Sequence, residues 1–229
     1  MSYVINVGRM QLVNRYTFLV VPLIIMFSAL AIVILIGAIL VPGSQSFYTG
    51  AGQAPLWYFF ASGIQALVLT FPFSQGLSIS RRNYFIGTTV TFALLALAFS
   101  LLFYLLGLIE KVTDGWGVHG YVFALPWVTS GPWYATILFI WLLTLLIFMI
   151  GFFGATLYKR FRMTGLMIAS FAATLALIVV AGFFTLTHNW GAFARWAGDQ
   201  TTLSVSWPAA VAILVMAAAS YLALRRATP

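Results

Sequence analysis

Side chains that could move a proton, hold a metal or attack a carbonyl are scarce in this chain. Its 229 residues include no Cys, two His and three acidic residues. Thiolate metal sites, disulfides and thiol catalysis are therefore excluded. His119 and His188 both lie between hydrophobic runs rather than within them, so haem cannot be held by paired histidines inside a membrane. The sequence has no G-x-x-x-x-G-K-[ST], no G-x-S-x-G and no H-E-x-x-H. A P-loop nucleotide site, a nucleophile elbow and a zincin site are absent with them. No catalytic, cofactor-binding or metal-binding residue is expected, and no cofactor.

Two sets of residues remain. The first lies within hydrophobic runs, where polar groups are costly and need a reason. Ser62, Gln65 and Thr70 share one run and form a candidate substrate path; Thr88, Thr89, Thr91, Ser100, Thr144, Ser170 and Thr174 lie in others. For Ser and Thr, bonding between helices or to their own backbone is the simpler account. Gln65 carries a full amide, and for it both readings stand. The second set is Gln75, Gly76, Leu77, Ser78, Ile79, Ser80, Arg81 and Arg82. Arginines at the start of a run suit a topogenic turn on lipid headgroups. Leu77 and Ile79 suit that less well, because they bring apolar side chains close to water, and they favour a docking surface.

The elements that must position these residues follow from composition. The chain is 63% hydrophobic and 6% charged, against roughly 25% charged in soluble domains. Lipid must cover most of it. Six runs are long enough to cross a bilayer, which takes about 20 helical residues: 17–41, 56–73, 84–109, 133–158, 165–186 and 208–224. Lipid forces each to satisfy its own backbone, so the expected fold is an all-α membrane protein with six transmembrane helices and short interfacial helices. Pro42-Gly43 closes the first span, and Pro208 suits the first turn of the last. The fourth and fifth are expected to form a tight hairpin across a basic turn. Residues 190–197 are expected to form a short interfacial helix. One domain covers 1–229, with 1–16 a cytoplasmic lead or interfacial helix. Gly151 and Gly154 are candidates for close helix packing.

Charge orients the spans. Arg9, Arg15, Arg81, Arg82, Lys159, Arg160, Arg162, Arg225 and Arg226 fall on one side, while Glu110, Lys111, Asp114, Arg195 and Asp199 fall on the other. The positive-inside rule then puts both termini in the cytoplasm, and a belt of tryptophans marks the opposite boundary. The net charge of +8 belongs to these loops, so membrane lipids rather than nucleic acid are the expected partners. No Asp, Glu or His sits inside a span to relay protons, so any transport would draw its energy from a partner.

The stretch Phe71-Pro72-Phe73 followed by Gly76-Leu77-Ser78-Ile79-Ser80-Arg81-Arg82-Asn83-Tyr84-Phe85-Ile86-Gly87-Thr88 resembles bacterial ABC-transporter permeases of the type-two exporter class, in particular a compact actinobacterial group. Gly115-Trp116-Gly117 and Gly131-Pro132-Trp133-Tyr134 are similar to that group too. The resemblance implies a non-enzymatic membrane subunit of the bacterial plasma membrane. It would pair with a second copy of itself and with a separate ATP-binding cassette subunit. Residues 75–82 would then be the segment coupled to that subunit. Many family members carry an acidic lead, where this chain has Arg9 and Arg15. Two other functions fit the same composition: the substrate-capture subunit of an ATP-driven vitamin importer, and a non-transporting assembly or immunity protein.

Overall fold

The computed structural model describes residues 7–11, 16–40 and 45–225. Pro42-Gly43, Arg15 and Arg226 lie outside the described residues. Long apolar runs become long helices: α1 (Tyr16–Leu40), α2 (Ala51–Gly76), α3 (Arg81–Val112), α4 (Trp133–Leu186) and α6 (Thr202–Arg225). These five are long and apolar enough to cross a membrane. The nine-residue α5 (Trp190–Gly198) precedes the last; it is the short helix expected near 190–197. A two-residue parallel pairing of β1 (Phe47–Tyr48) with β2 (Gly120–Tyr121) ties the α1–α2 link to the α3–α4 link.

Among the described residues five span-length helices stand where six were expected, because the fourth and fifth runs join. α4 has 54 residues, about 80 Å if straight at 1.5 Å per residue. It is broken at one residue, Arg162, at φ 57° and ψ −158°, a region normally left to Gly. The arms 133–161 and 163–186 are each long enough to cross a bilayer. Thr202 lies beside Gly131, so the second arm must lead the chain back toward the end where α4 began. The two arms differ in environment. The first packs in the core, whereas nearly every side chain of 163–186 is exposed.

α6 starts six residues before Pro208. Thr201 and Ser204 cap it reciprocally, with Ser204 N–H donating to Thr201 Oγ1 at 3.3 Å and Thr201 N–H to Ser204 Oγ at 2.9 Å. This pair satisfies donors of the first turn, which a span boundary drawn from hydropathy cannot register.

The core lies between α2, α3 and the first arm of α4. Phe92 stacks on Phe148 at 4.1 Å, and Phe18 meets Phe92 edge-on at 5.3 Å. α2 and α4 cross with almost no side chain between them. A Cβ on Gly151 would stand 2.1 Å from the Phe60 carbonyl oxygen, and one on Gly63 would stand 2.3 Å from that of Phe148. Only Gly permits this approach. Gly154 has open space where its Cβ would be, so the close-packing expectation holds for Gly151 and fails for Gly154.

Candidate functional site

At one end of the bundle the basic residues gather. α2 ends in a hydrogen-bonded turn in which Ile79 N–H donates to Ser74 O at 3.1 Å and Ser78 N–H to Gln75 O at 3.0 Å. Ser78 adopts the left-handed conformation, φ 56°. This is the Schellman closure of a helix, which turns the residue after the left-handed position inward. The outcome divides the apolar pair: Ile79 packs on the core, while Leu77 stays 56% exposed. Gln75 helps hold the turn, with Nε2 donating to Ile79 O at 3.1 Å. Gly76 meets open space.

Ser80 then caps α3, its Oγ accepting from Asn83 N–H at 3.3 Å. Arg81 opens α3, where the helix dipole disfavours a cation. The structure resolves that conflict. Its guanidinium reaches the far end of the chain and donates to the carbonyls of Leu224 at 3.2 Å and Arg225 at 3.1 Å. Those carbonyls end α6, where a cation is favoured. Arg82 is exposed. Lys159 lies close by, with Nζ 4.5 Å from the centre of the buried Phe71 ring. The turn 77–80 is thus fixed to the ends of three helices.

The proposed path residues do not line up. Ser62 Oγ donates to its own helix at Tyr58 O, 2.9 Å away. Thr70 belongs to a buried cluster: it accepts from Gln11 Nε2 at 3.0 Å and lies 2.9 Å from Tyr84 OH. Gln11, from the helical stretch 7–11, also donates to Thr88 Oγ1 at 3.0 Å, and its Oε1 is buried with no partner among the described residues. Tyr84 OH and Thr70 Oγ1 both donate to Ala66 O. Hydroxyls inserted on that carbonyl accompany a π-turn over Ala66–Thr70, as expected where a side chain enters the helical ladder. The same device recurs at Tyr16–Val20, where Tyr58 OH donates to Thr17 O at 2.6 Å. Gln65 is half-buried just before the π-turn and makes no hydrogen bond to a described residue. Among the three, only Gln65 keeps its polar group free.

At the other end the structure holds an element that sequence reasoning treated only as a loop charge. Glu110 is completely buried. Its Oε1 accepts from Trp116 Nε1 at 3.0 Å and Val122 N–H at 2.6 Å. Its Oε2 accepts from Phe123 N–H at 2.7 Å and Ala124 N–H at 2.6 Å. Four donors satisfy the carboxylate without a cation. They also fold the segment after α3 back onto the bundle, where Val122 and Phe123 are buried and Phe123 meets Phe103 edge-on at 4.9 Å. Gly115 makes the reversal, at φ 68° and with Gly120 N only 2.6 Å from where a Cβ would be. The sequence held one signal for this: a lone acid at the end of an apolar helix, followed within a turn or two by Gly-Trp-Gly.

Near this clamp, Tyr121 OH donates to Asp114 Oδ1 at 2.8 Å, and the bond and the adjacent negative charge raise the phenol above its usual range. His119 Nδ1 lies 2.9 Å from Asp114 Oδ2. The folded-back segment also walls an apolar cavity of about 390 Å³ between α2, α3 and α4. Against known proteins, the chain matches no family model, no curated protein and no solved structure.

Proposed function

We propose that the chain is the transmembrane subunit of an ATP-driven ABC exporter, working as two copies and driven by a separate ATP-binding subunit on the basic end of the bundle. In this arrangement the arms of α4 are separate passes. The chain then crosses a bacterial plasma membrane six times with both termini in the cytoplasm. The distribution of Arg and Lys against Glu110, Asp114 and Asp199 supports that orientation. The arm 163–186, with nearly all its side chains exposed, leaves a surface for the second copy.

One observation carries the proposal: the exposed Leu77 turn is held by its Schellman closure on α2, by the Ser80 cap on α3 and by Arg81 on the end of α6. A force applied to Leu77 by a docked subunit reaches three helices through hydrogen bonds rather than through a loose loop. Arg82 beside it supplies a charge at the rim.

The test is co-purification with a candidate ATP-binding cassette subunit co-expressed with this chain. Leu77→Asp is expected to weaken the complex about tenfold, since burying a leucine contributes roughly 1.5–3 kcal/mol. Arg82→Ala is expected to do less and to change mainly the salt dependence. ATP hydrolysis should need both subunits. Full retention of the partner by the Leu77 variant, or transport driven by a proton gradient with this chain alone in liposomes, would reject the proposal.

A further inference from the structure

The cavity walled by the folded-back segment is a slot with a direction. Phe139, Leu143 and Ile147 line one side at four-residue spacing on α4. They form a single stripe spanning about 12 Å of helix. That length approaches the depth of one leaflet's hydrocarbon, about 15 Å. Leu56, Phe103 and Val122 also line the slot, and no charged side chain among the described residues contributes to the lining. The slot runs from the tryptophan-rich end of the bundle toward its middle.

Its mouth has a different character. Trp57 and Trp127 stand there, both exposed, as aromatic side chains do at the level of lipid headgroups. Trp127 has its indole N–H committed to Gln200 O at 3.0 Å. Gln53, also at the mouth, is exposed and its amide bonds to no described residue. The wall opposite α4 is rigid, because Val122 is bound through its own N–H to Glu110. An apolar slot with a free amide at its entrance and a pre-formed wall has the make-up of a ligand site.

We infer that this slot binds one hydrocarbon chain of an amphiphile from the leaflet at the tryptophan-rich end. The headgroup then lies at Gln53, whose amide can donate to an ester or hydroxyl oxygen. A strongly ionic molecule finds no counter-charge in the slot. A chain-length apolar group fills it along the direction in which leaflet lipids already stand. This site does not depend on the exporter reading, since binding needs neither ATP nor a second subunit.

The test uses the purified full chain in phosphatidylcholine nanodiscs containing a small fraction of phosphatidylcholine with a diazirine in the middle of one acyl chain. After illumination, labelled residues are mapped by mass spectrometry. Labels are expected to concentrate on Phe139, Leu143, Ile147 and Phe103, at least fivefold above exposed positions outside the slot such as Leu214 and Leu35. Leu143→Trp, which fills the slot, is expected to remove that excess, while Leu214→Trp leaves it in place. Ile147→Phe serves as a second filling variant should the first not fold. Even labelling of slot and outer surface would overturn the inference. So would an excess at Phe103 that survives both filling variants.

Discussion

Replacing Glu110 by Gln keeps the shape of the side chain and exchanges one acceptor oxygen for an N–H₂ group. In the native arrangement each oxygen accepts from two donors. Two of the four must therefore face an amide nitrogen instead. The cheaper orientation puts the nitrogen on the Oε1 side, where half-exposed Trp116 can turn to water and only Val122 N–H is stranded in the interior. A buried donor left without an acceptor costs about 1–3 kcal/mol. The two surviving bonds lose their charge assistance, which is worth about as much again. The sum is about 2–6 kcal/mol, borne by one segment rather than by the whole bundle. Amide exchange reads that locality. The N–H groups of Val122, Phe123 and Ala124 should exchange about one hundredfold faster in Glu110→Gln, while those in the middle of α3 stay protected. Glu110→Ala should accelerate them further. If the three amides exchange at unchanged rates in Glu110→Gln and the denaturant midpoint does not move, the carboxylate is not what folds this segment back.

Ser78→Gly should stabilise the protein by about 1 kcal/mol, because it relieves a left-handed serine at the Schellman position; denaturant unfolding in detergent checks this. In the same assay Gly151→Ala should cost about 1–3 kcal/mol through overpacking against Phe60, and Gly154→Ala should cost nothing, having open space before it. Tyr84→Phe should cost about 1 kcal/mol by removing the donor to Ala66 O. Adding Thr70→Val to it should cost less than the sum of the two single changes, since both hydroxyls serve one carbonyl; a double-mutant cycle that is strictly additive would refute that sharing.

The helical membrane character and the approximate helix ends were legible in the sequence. The expected 84–109 lies within Arg81–Val112, and 56–73 lies within Ala51–Gly76. Hydropathy is a local, additive property, and a run of about 20 apolar residues can satisfy its backbone in lipid only as a helix. The polar residues of the spans were legible in part. The bonding of Ser62 and Thr144 to their own helices follows from side-chain reach within one turn.

What tertiary structure decided are the pairings between distant residues. No local rule brings Gln11 to Thr88, Arg81 to the end of α6, or Tyr84 to Ala66. The division of Leu77 from Ile79 depends on a left-handed Ser78, which sequence preference assigns to glycine. Glu110 shows the difference most sharply. By type and position it is an acid at the end of a span, suited to solvent. It is buried because the chain returns after Gly115 to bring it three backbone donors from Val122, Phe123 and Ala124. Such a return is a property of the whole fold, which the sequence marks only by a lone acid followed by Gly-Trp-Gly.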